Sequence, residues 1–383
     1  PNSISLTGNF KGGLKGFDTN LKLVTEKGDA SVNGYLNMAG KDTTYDATVS
    51  IQNFNLGHFI KQDSVLGFIS AEAKVKGTGL NPKTMVAEVA GNINRLEALG
   101  YNYNSINLDL NAQKGAIDGK VNSLDPNIKF DVDMAADMTA HYPKVYFNVN
   151  IDSVNLQNLN LMKDNLRYHG KIKGNFQTAD LNHLNGEIII SESSIAYNKE
   201  RYALDSISLI ASADTNRNTI VLKSELINAH LVGKFMLTEL SNAVQDVAKI
   251  YYNPNNDPPS IVKYENQNFE FSATLTSSKF IKDFFPDLEK MDNISLDGTF
   301  NSGQKSIMAK LIAPEVIYSG IHIKDVGVDI ITVDSTMYYS ALINKIKINN
   351  IELNNTTLSG QVIENNLDIG LWIKDKEQKD KYH

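Results

Sequence analysis

Apolar and polar residues alternate along most of the chain, and a period of two is typical of β-strands that cover one face and expose the other. Ile106, Leu108 and Leu110, for example, are separated by single polar residues. Runs of this kind predict an all-β protein built from antiparallel strands. The apolar positions of the clearest runs, which we expect to line one covered surface, are Ile106, Leu108, Leu110, Ile128, Phe130, Val132, Val145, Phe147, Val149, Ile207, Leu209, Phe269, Phe271, Leu367, Ile369 and Leu371.

Turn residues separate these runs at the short spacing of antiparallel hairpins. Examples are the segments 40–42, 125–127 and 365–366, which are rich in Gly, Asp and Asn. Asparagine is frequent in this chain although it is depleted in ordinary strands. We therefore expect it to occupy the turns and the wet face of the alternating runs.

One segment has the period of a helix instead. From residue 238 to residue 252, Leu240, Val244, Val247 and Tyr251 recur on one helical face, and Pro254 follows. The pattern predicts a helix over 238–252. We expect it to cap an open sheet face between repeats, in preference to acting as a movable gate.

A long, degenerate repeat organises the chain. The stretches 51–77, 151–174 and 275–298 each leave a strand, pass through a short amphipathic segment rich in Leu, Phe and Ile, and re-enter a strand that ends in glycine. A repeat of about 100 residues follows from this spacing. The predicted parts are a partial first repeat at 1–60, a second repeat at 61–160, a third repeat at 161–285 that contains the helix, a partial fourth repeat at 286–373, and a charged, disordered tail at 374–383.

The apolar face of such strands needs a cover, because burial contributes roughly 25 cal/mol per Å² of apolar surface. Separate sandwiches of about 100 residues would need polar linkers between them. The repeat boundaries instead carry apolar residues such as Phe59, Leu159 and Phe284. This favours an elongated antiparallel sheet folded lengthwise into a groove with an apolar interior and short amphipathic helices at the repeat boundaries.

Several strings in the chain resemble a known family. They are LTGNFKG at 6–12, AKVKGTGL at 73–80, SLDPNIKFDVDM at 123–134, GKIKGNF at 170–176, FMLTELSNAVQDVAKIYYNP at 235–254 and SLDGTF at 295–300. Together they are similar to the AsmA-like superfamily, and within it to the TamB (translocation and assembly module) type found in Bacteroidota. The resemblance implies a taco-shaped β-structure that spans the periplasm, with an apolar groove like that of bridge-like lipid-transfer proteins.

The resemblance also implies partners and a location. They are phospholipid acyl chains in the groove, an inner membrane reached through an N-terminal anchor, and an outer-membrane barrel protein reached through the C-terminal region. The chain begins at Pro1 without a signal sequence. We therefore expect an internal fragment of a periplasmic, inner-membrane-anchored envelope protein of a Gram-negative bacterium.

The composition excludes several kinds of functional site. The chain contains 42% hydrophobic residues and no cysteine, which excludes disulfides, Cys-ligated metals and thiol catalysis. Its formal net charge is −7 without a basic concentration, so nucleic acid is not an expected partner.

No catalytic or cofactor motif emerges from the remaining residues. The seven histidines lack paired metal-ligand spacing. Asp214, Asn216, Asn218, Ile220 and Glu225 fit a calcium-loop spacing, but Thr219 replaces the required glycine, which favours a hairpin turn. We expect no cofactor, no metal and no enzymatic activity.

Three functions remain open. The leading hypothesis is a periplasm-spanning lipid conduit that carries phospholipid between the inner and outer membranes. The alternative is a scaffold for the assembly or secretion of outer-membrane proteins that acts by strand pairing. A β-rich adhesin or carbohydrate binder is weaker, because Trp372 is the only tryptophan available as a platform.

Overall fold

Antiparallel β-strands form nearly all the regular structure of this protein. The computed structural model describes residues 4–13, 15–258, 265–374 and 380–382. Strands adjacent in sequence pair with one another, as β10 does with β9 and β11. The prediction of an all-β, antiparallel protein is confirmed.

The chain divides into two compact units. The first unit comprises Pro1–Ala179 and Ile188–Ser206, and the second comprises Asp180–Glu187 and Ile207–His383. The division into four parts by sequence repeat stays a prediction.

The first unit is a succession of hairpins. Its strands are β1 (Ile4–Gly13), β2 (Gly16–Thr25), β3 (Gly28–Asn37), β4 (Thr44–Asn55), β5 (Leu66–Thr78), β6 (Val86–Ala98), β7 (Tyr101–Tyr103), β8 (Ile106–Gln113), β9 (Ala116–Asp125), β10 (Ile128–Asp137), β11 (Lys144–Asn155), β12 (Leu166–Thr178), β13 (Asn185–Tyr197, whose first three residues belong to the second unit) and β14 (Glu200–Leu204). A short helix, α1 (Leu56–Ile60), follows β4.

The second unit repeats this construction. Its strands are β15 (Ile207–Ala213), β16 (Asn218–Lys223), β17 (Ile227–Lys234), β18 (Asn268–Leu275), β19 (Leu288–Met291), β20 (Ile294–Asn301), β21 (Ser306–Tyr318), β22 (Ile321–Val333), β23 (Thr336–Ile348), β24 (Ile351–Ile363), β25 (Asn366–Lys374) and β26 (Asp380–Tyr382). Its helices are α2 (Leu240–Tyr251), α3 (Lys279–Phe284) and a 3₁₀ turn at Leu181–His183.

The main helix lies within the predicted range. Helix α2 begins two residues later and ends one residue earlier than the predicted 238–252. It has 12 residues, and no helix among the described residues has both the length and the apolar character needed to cross a bilayer.

Two of the three recurring amphipathic segments form short helices, namely α1 and α3. The middle copy, at residues 156–160, forms turns instead. The physical reason is local: the left-handed Asn160, with a φ of 60°, ends the turn one position earlier in its segment than the left-handed Lys61 ends α1.

The predicted tail is only partly described. Residues 375–379 and 383 lie outside the described residues. Asp380–Tyr382 forms β26, which pairs with Ile373 and Lys374 of β25.

Candidate functional site

The predicted lining residues all lie on strands, in two groups. One group occupies β8, β10 and β11 of the first unit, and the other occupies β15, β18 and β25 of the second. Residues paired directly across antiparallel strands lie on the same face of a sheet. The strand register therefore shows which predicted residues share a surface.

In the first unit, the predicted residues share one face, here called the apolar face. Leu108 is opposite Val121, which is opposite Val132, which in turn is opposite Val149. This register row extends over ten strands, β2 to β6 and β8 to β12. It consists of Leu21, Val32, Val49, Ala73, Gly91, Leu108, Val121, Val132, Val149 and Ile172.

The remaining predicted residues of the first unit lie in neighbouring rows of the same face. Ile106 and Phe130 are both opposite Ser123. Phe147 shares a row with Leu110, and Val145 is opposite Phe176. Ile128 is opposite Val154 at the end of this face.

In the second unit, the predicted residues again share one apolar face. Leu209 lies in a row that ends at Leu371, and Phe271 lies in a row that ends at Ile369. The first row is Leu209, Leu222, Ala229, Ala273, Leu296, Leu311, Val328, Ala341, Leu358 and Leu371. Phe269 is opposite Phe300, Leu367 is opposite Val362, and Ile207 precedes Leu209 by two positions on β15.

Most of these side chains are only partly buried. Among the predicted residues, Phe269 alone is fully buried, whereas Leu367, Ile369 and Leu371 are exposed. The accessible surface of the chain is 23119 Å², against about 15,000 Å² for a compact protein of its mass. The apolar faces are therefore shielded mainly by neighbours within the same sheet.

Helix α2 covers one margin of the second apolar face. Val247 and Tyr251 of the helix are buried in a cluster with Phe269 and Phe300 of the sheet. The Tyr251 hydroxyl donates a hydrogen bond to the backbone oxygen of Lys305 at 2.5 Å. The amphipathic stripe found in the sequence is thus the surface that packs on the sheet.

Aromatic rings lie over glycines on these faces. A Cβ atom at Gly174 would lie 2.2 Å from Cζ of Phe147, and one at Gly298 would lie 2.4 Å from Cζ of Phe271. A Cβ at Gly77 would lie 2.7 Å from the Tyr45 hydroxyl. These glycines end the three recurring stretches 51–77, 151–174 and 275–298, and each leaves space for a ring from the neighbouring strand.

Bulges interrupt the alternation at corresponding places in several strands. In β4 the register shifts between Ile51 and Phe54, and in β11 it shifts between Ile151 and Val154, so an apolar residue returns after three positions instead of two. Asn53 has a positive φ of 46° within the first of these shifts. Such bulges bend a strand locally and increase its twist.

The second unit has a similar line of irregular residues. Asp325 of β22 and Asn355 of β24 have positive φ angles of 50° and 44°. Beyond that line a new apolar row crosses four strands, consisting of Val316, Ile323, Ile346 and Leu353.

The opposite face of the first unit is polar. Asn92 donates a side-chain hydrogen bond to Asn107 at 2.7 Å, and Asn107 donates one to Asn122 at 2.9 Å. Lys120 and Asp133 form an ion pair across neighbouring strands at 3.2 Å. Asparagine therefore occupies the wet face of the strands, as well as turns.

The corresponding polar face of the second unit is more mixed than the sequence pattern suggested. Met308, Ile331 and Tyr338 form an exposed register row on it. Trp372 lies on the same face, in the row that contains Leu342. Sequence reasoning missed this group because it looked for apolar residues on one face only.

The charged groups of the second unit include one compact cluster. The carboxylate of Glu315 accepts hydrogen bonds from Lys290, His322 and Lys324, the last at 3.1 Å. These bonds, the one from Lys290 above all, lower the pKa of Glu315 to about 2. The cluster joins β19, β21 and β22.

Metal-ligand geometry is not found in the described part of the chain, where no group of three or more His, Asp or Glu side chains could hold an ion. The calcium-like spacing at Asp214 forms a hairpin turn between β15 and β16. The Asp214 carboxylate accepts hydrogen bonds from the backbone amides of Asn216 and Arg217, both at 2.8 Å.

Comparison of the chain with protein-family models, with curated protein sequences and with solved structures gave no match.

Proposed function

We propose that this chain binds the acyl chains of phospholipids along its two apolar faces and forms part of a non-enzymatic lipid conduit. The observation that supports the proposal is the register of the strands. Predicted lining residues of each unit, such as Leu108 and Leu209, fall into rows of apolar residues and glycine that cross ten strands. Over most of these rows the side chains remain partly exposed, so each face can still bury an apolar ligand.

The energetics of such a surface suit transport. Each methylene group removed from water contributes about 0.8 kcal/mol, so an acyl chain of ordinary length is held firmly. Successive strands offer similar side chains, such as Val121, Val132 and Val149, at similar positions along a row. Moving a bound chain by one strand therefore exchanges one set of contacts for an equivalent set, and the barrier to sliding is low.

The bulges and helix α2 support a groove as the form of this surface. The antiparallel sheet of this structure is not closed or strongly curled. Local bends at Asn53 and Asp325 mark lines along which further folding would bring two strips of one apolar face toward each other. Helix α2 covers one margin of the second face and leaves the remaining rows accessible to a ligand. A lengthwise-folded groove would leave lipid head groups at its open side.

The resemblance to the AsmA-like superfamily supports a proposal for the cellular location of the chain and the route of transport. In this proposal the chain is a periplasmic part of an inner-membrane-anchored envelope protein, and the conduit carries phospholipid between the inner and outer membranes. Contacts with the inner membrane and with an outer-membrane barrel protein would be made by regions outside these residues.

Photocrosslinking tests the binding surface. A photoreactive amino acid at Leu108, Phe147 or Phe271 should capture phospholipid when the purified chain is incubated with vesicles. The matched positions Asn107, Asn148 and Glu270 are the sequence neighbours on the same strands and lie on the polar face. Equal capture at both sets of positions would contradict the proposal.

A charge placed on the apolar face tests transport. Leu110→Glu should reduce lipid transfer between donor and acceptor vesicles strongly, because a buried carboxylate interrupts the row of apolar contacts. Asn111→Glu adds the same charge on the polar face and should leave transfer unchanged. If the folded Leu110→Glu variant transfers lipid normally but no longer supports assembly of outer-membrane proteins, the strand-pairing scaffold is the better explanation.

A further inference from the structure

The polar face of the second unit contains a depression that lipid binding on the apolar face does not use. Its volume is about 530 Å³, and strands β22 to β25 form its floor. The side chains that matter for its chemistry are Tyr338, Ser340, Ser359, Gln361, Asp368 and Trp372.

Two aromatic side chains border this depression. Tyr338 is 43% exposed. The indole of Trp372 lies over Gly370, because a Cβ atom there would be 2.1 Å from Cη2 of the ring. The six-membered ring of the indole thus lies against the backbone of its own strand, and the partly exposed side chain lines the depression.

The spacing of the two rings suits an extended ligand. Tyr338 is in register with Gln361 and Asp368, so Trp372 lies two strands and four residue positions away. With ordinary strand dimensions, the two Cα atoms are about 16 Å apart. Two or three linked sugar rings span such a distance.

The floor between the rings is polar. Ser340 is directly opposite Ser359, so two hydroxyl groups lie side by side. The amide of Gln361 donates a hydrogen bond to the carboxylate of Asp368 at 3.1 Å. Hydroxyl, amide and carboxylate groups of this kind exchange hydrogen bonds with the hydroxyls of a saccharide, while the apolar C–H faces of the sugar stack on aromatic rings.

The charges identify the class of saccharide. The charged residues that line the depression among those the structure describes are Asp329 and Asp368. Two carboxylates repel a phosphate, a sulfate or a uronic acid. An acyl chain is disfavoured too, since it would leave the polar floor without hydrogen-bond partners.

We propose that this depression binds a neutral oligosaccharide, with Tyr338 and Trp372 as stacking platforms and with Gln361 and Asp368 as hydrogen-bonding groups. The site lies on the face opposite to the proposed lipid surface. This chain could therefore bind a glycan on the polar face and a lipid on the apolar face at the same time.

Trp372 is the only tryptophan of the chain, so its fluorescence reports on this site directly. The purified full chain is titrated with cellotriose, maltotriose and tri-N-acetylchitotriose. We expect at least one of them to change the emission in a saturable manner, with a Kd of about 1 mM or lower. Saturation-transfer NMR on the same samples should show magnetisation reaching the C–H protons of that saccharide.

Tyr338→Ala keeps the fluorescent reporter and should weaken binding at least about tenfold. Gln361→Ala, a smaller change, should weaken it in the same direction. Tyr318→Ala is the matched control, because Tyr318 is a comparably exposed tyrosine at the end of β21, outside the depression.

Three results would overturn the proposal. The first is the absence of both a saturable emission change and saturation transfer with all three saccharides. The second is equal weakening by Tyr338→Ala and Tyr318→Ala. The third is tighter binding of a heparin oligosaccharide or of a proline-rich peptide than of any neutral saccharide, which would assign the aromatic pair to another ligand. None of these results bears on lipid capture at the apolar face.

Discussion

Asn92, Asn107 and Asn122 face one another across three neighbouring strands and form a hydrogen-bonded ladder. Asn107 is its centre, since it accepts from one neighbour and donates to the other. A side-chain amide suits this position because it can do both at once, whereas a carboxylate can only accept. The abundance of asparagine is thus partly a means of joining strands on the polar face.

Asn107→Ala removes both hydrogen bonds of this residue. We expect the free energy of unfolding to fall by about 1 to 2 kcal/mol, as measured by urea denaturation. Asn111→Ala changes an exposed residue on the same strand and should alter stability much less. Equal losses in the two variants would show that the ladder does not stabilise the sheet.

Glu315 makes stability depend on pH. Its pKa in the folded protein is about 2, below the ordinary value of 4.5, because Lys290 and then His322 and Lys324 stabilise the carboxylate. This contribution to stability is complete above pH 4.5 and is lost as the pH falls from 4.5 toward 2. We expect Glu315→Gln to remove that part of the pH dependence, as measured by thermal unfolding at several pH values.

A second substitution identifies the cause of this pH dependence. Lys324→Gln should flatten the pH dependence in part in the original protein and should have no such effect in the Glu315→Gln background. If Lys324→Gln acted equally in both backgrounds, the pH dependence would arise from other groups.

At the scale of strands, alternation predicted much of what the structure shows. The polar and apolar positions of β8, β10 and β11 lie on the two faces that the sequence pattern predicted, and the register aligns them in common rows. Helix α2 was also predictable, because a stripe of Leu, Val and Tyr with the helical period is long enough to be distinct.

Other features could not be predicted from the pattern. The bulge in β4 shifts the alternation between Ile51 and Phe54, and a shift of one residue in a short strand looks like noise in a sequence. The depression beside Trp372 depends on which residues of four strands, β22 to β25, lie opposite one another. Register of that kind is set by bulges and turns, and hydrophobic periodicity alone does not specify it.

The contact of the Phe147 ring with Gly174 can be tested for its effect on stability. Gly174→Ala would place a methyl group 2.2 Å from the ring of Phe147, so the ring must move. We expect the free energy of unfolding to decrease by about 1 to 3 kcal/mol. Urea denaturation of the folded variant measures this loss.

Replacing the aromatic ring of Phe147 with a leucine side chain provides the control. In a Phe147→Leu background the ring that obstructs the new methyl group is absent, so Gly174→Ala should cost clearly less. Strictly additive losses in the double variant would mean that the ring and the glycine are not coupled.

At the scale of the whole chain, the absence of cysteine allows lipid binding by the two units to be compared, because a single introduced cysteine is then the only labelling site. Single cysteines at Leu108 and Phe271 report on the apolar face of each unit, and cysteines at Asp109 and Ser272 report on the polar face. We expect phospholipid vesicles to slow maleimide labelling severalfold at the first two positions, because bound acyl chains cover them. Labelling at the other two positions should not change.

This experiment distinguishes binding by both units from binding by one. Protection at Leu108→Cys without protection at Phe271→Cys would restrict the lipid surface to the first unit. Equal protection at all four positions would indicate nonspecific adsorption to vesicles and would contradict the proposed function.

The order of the strands also determines how the chain can fold. Because β9 pairs with β8 and β10, and β22 pairs with β21 and β23, most hydrogen bonds join residues only a few tens of positions apart in sequence. Contacts as local as these lower the entropy lost in closing each loop. During synthesis, when the N-terminus emerges first, the chain can add one hairpin at a time to the growing edge of the sheet. The early strands then reach their final pairing before the late strands have been made.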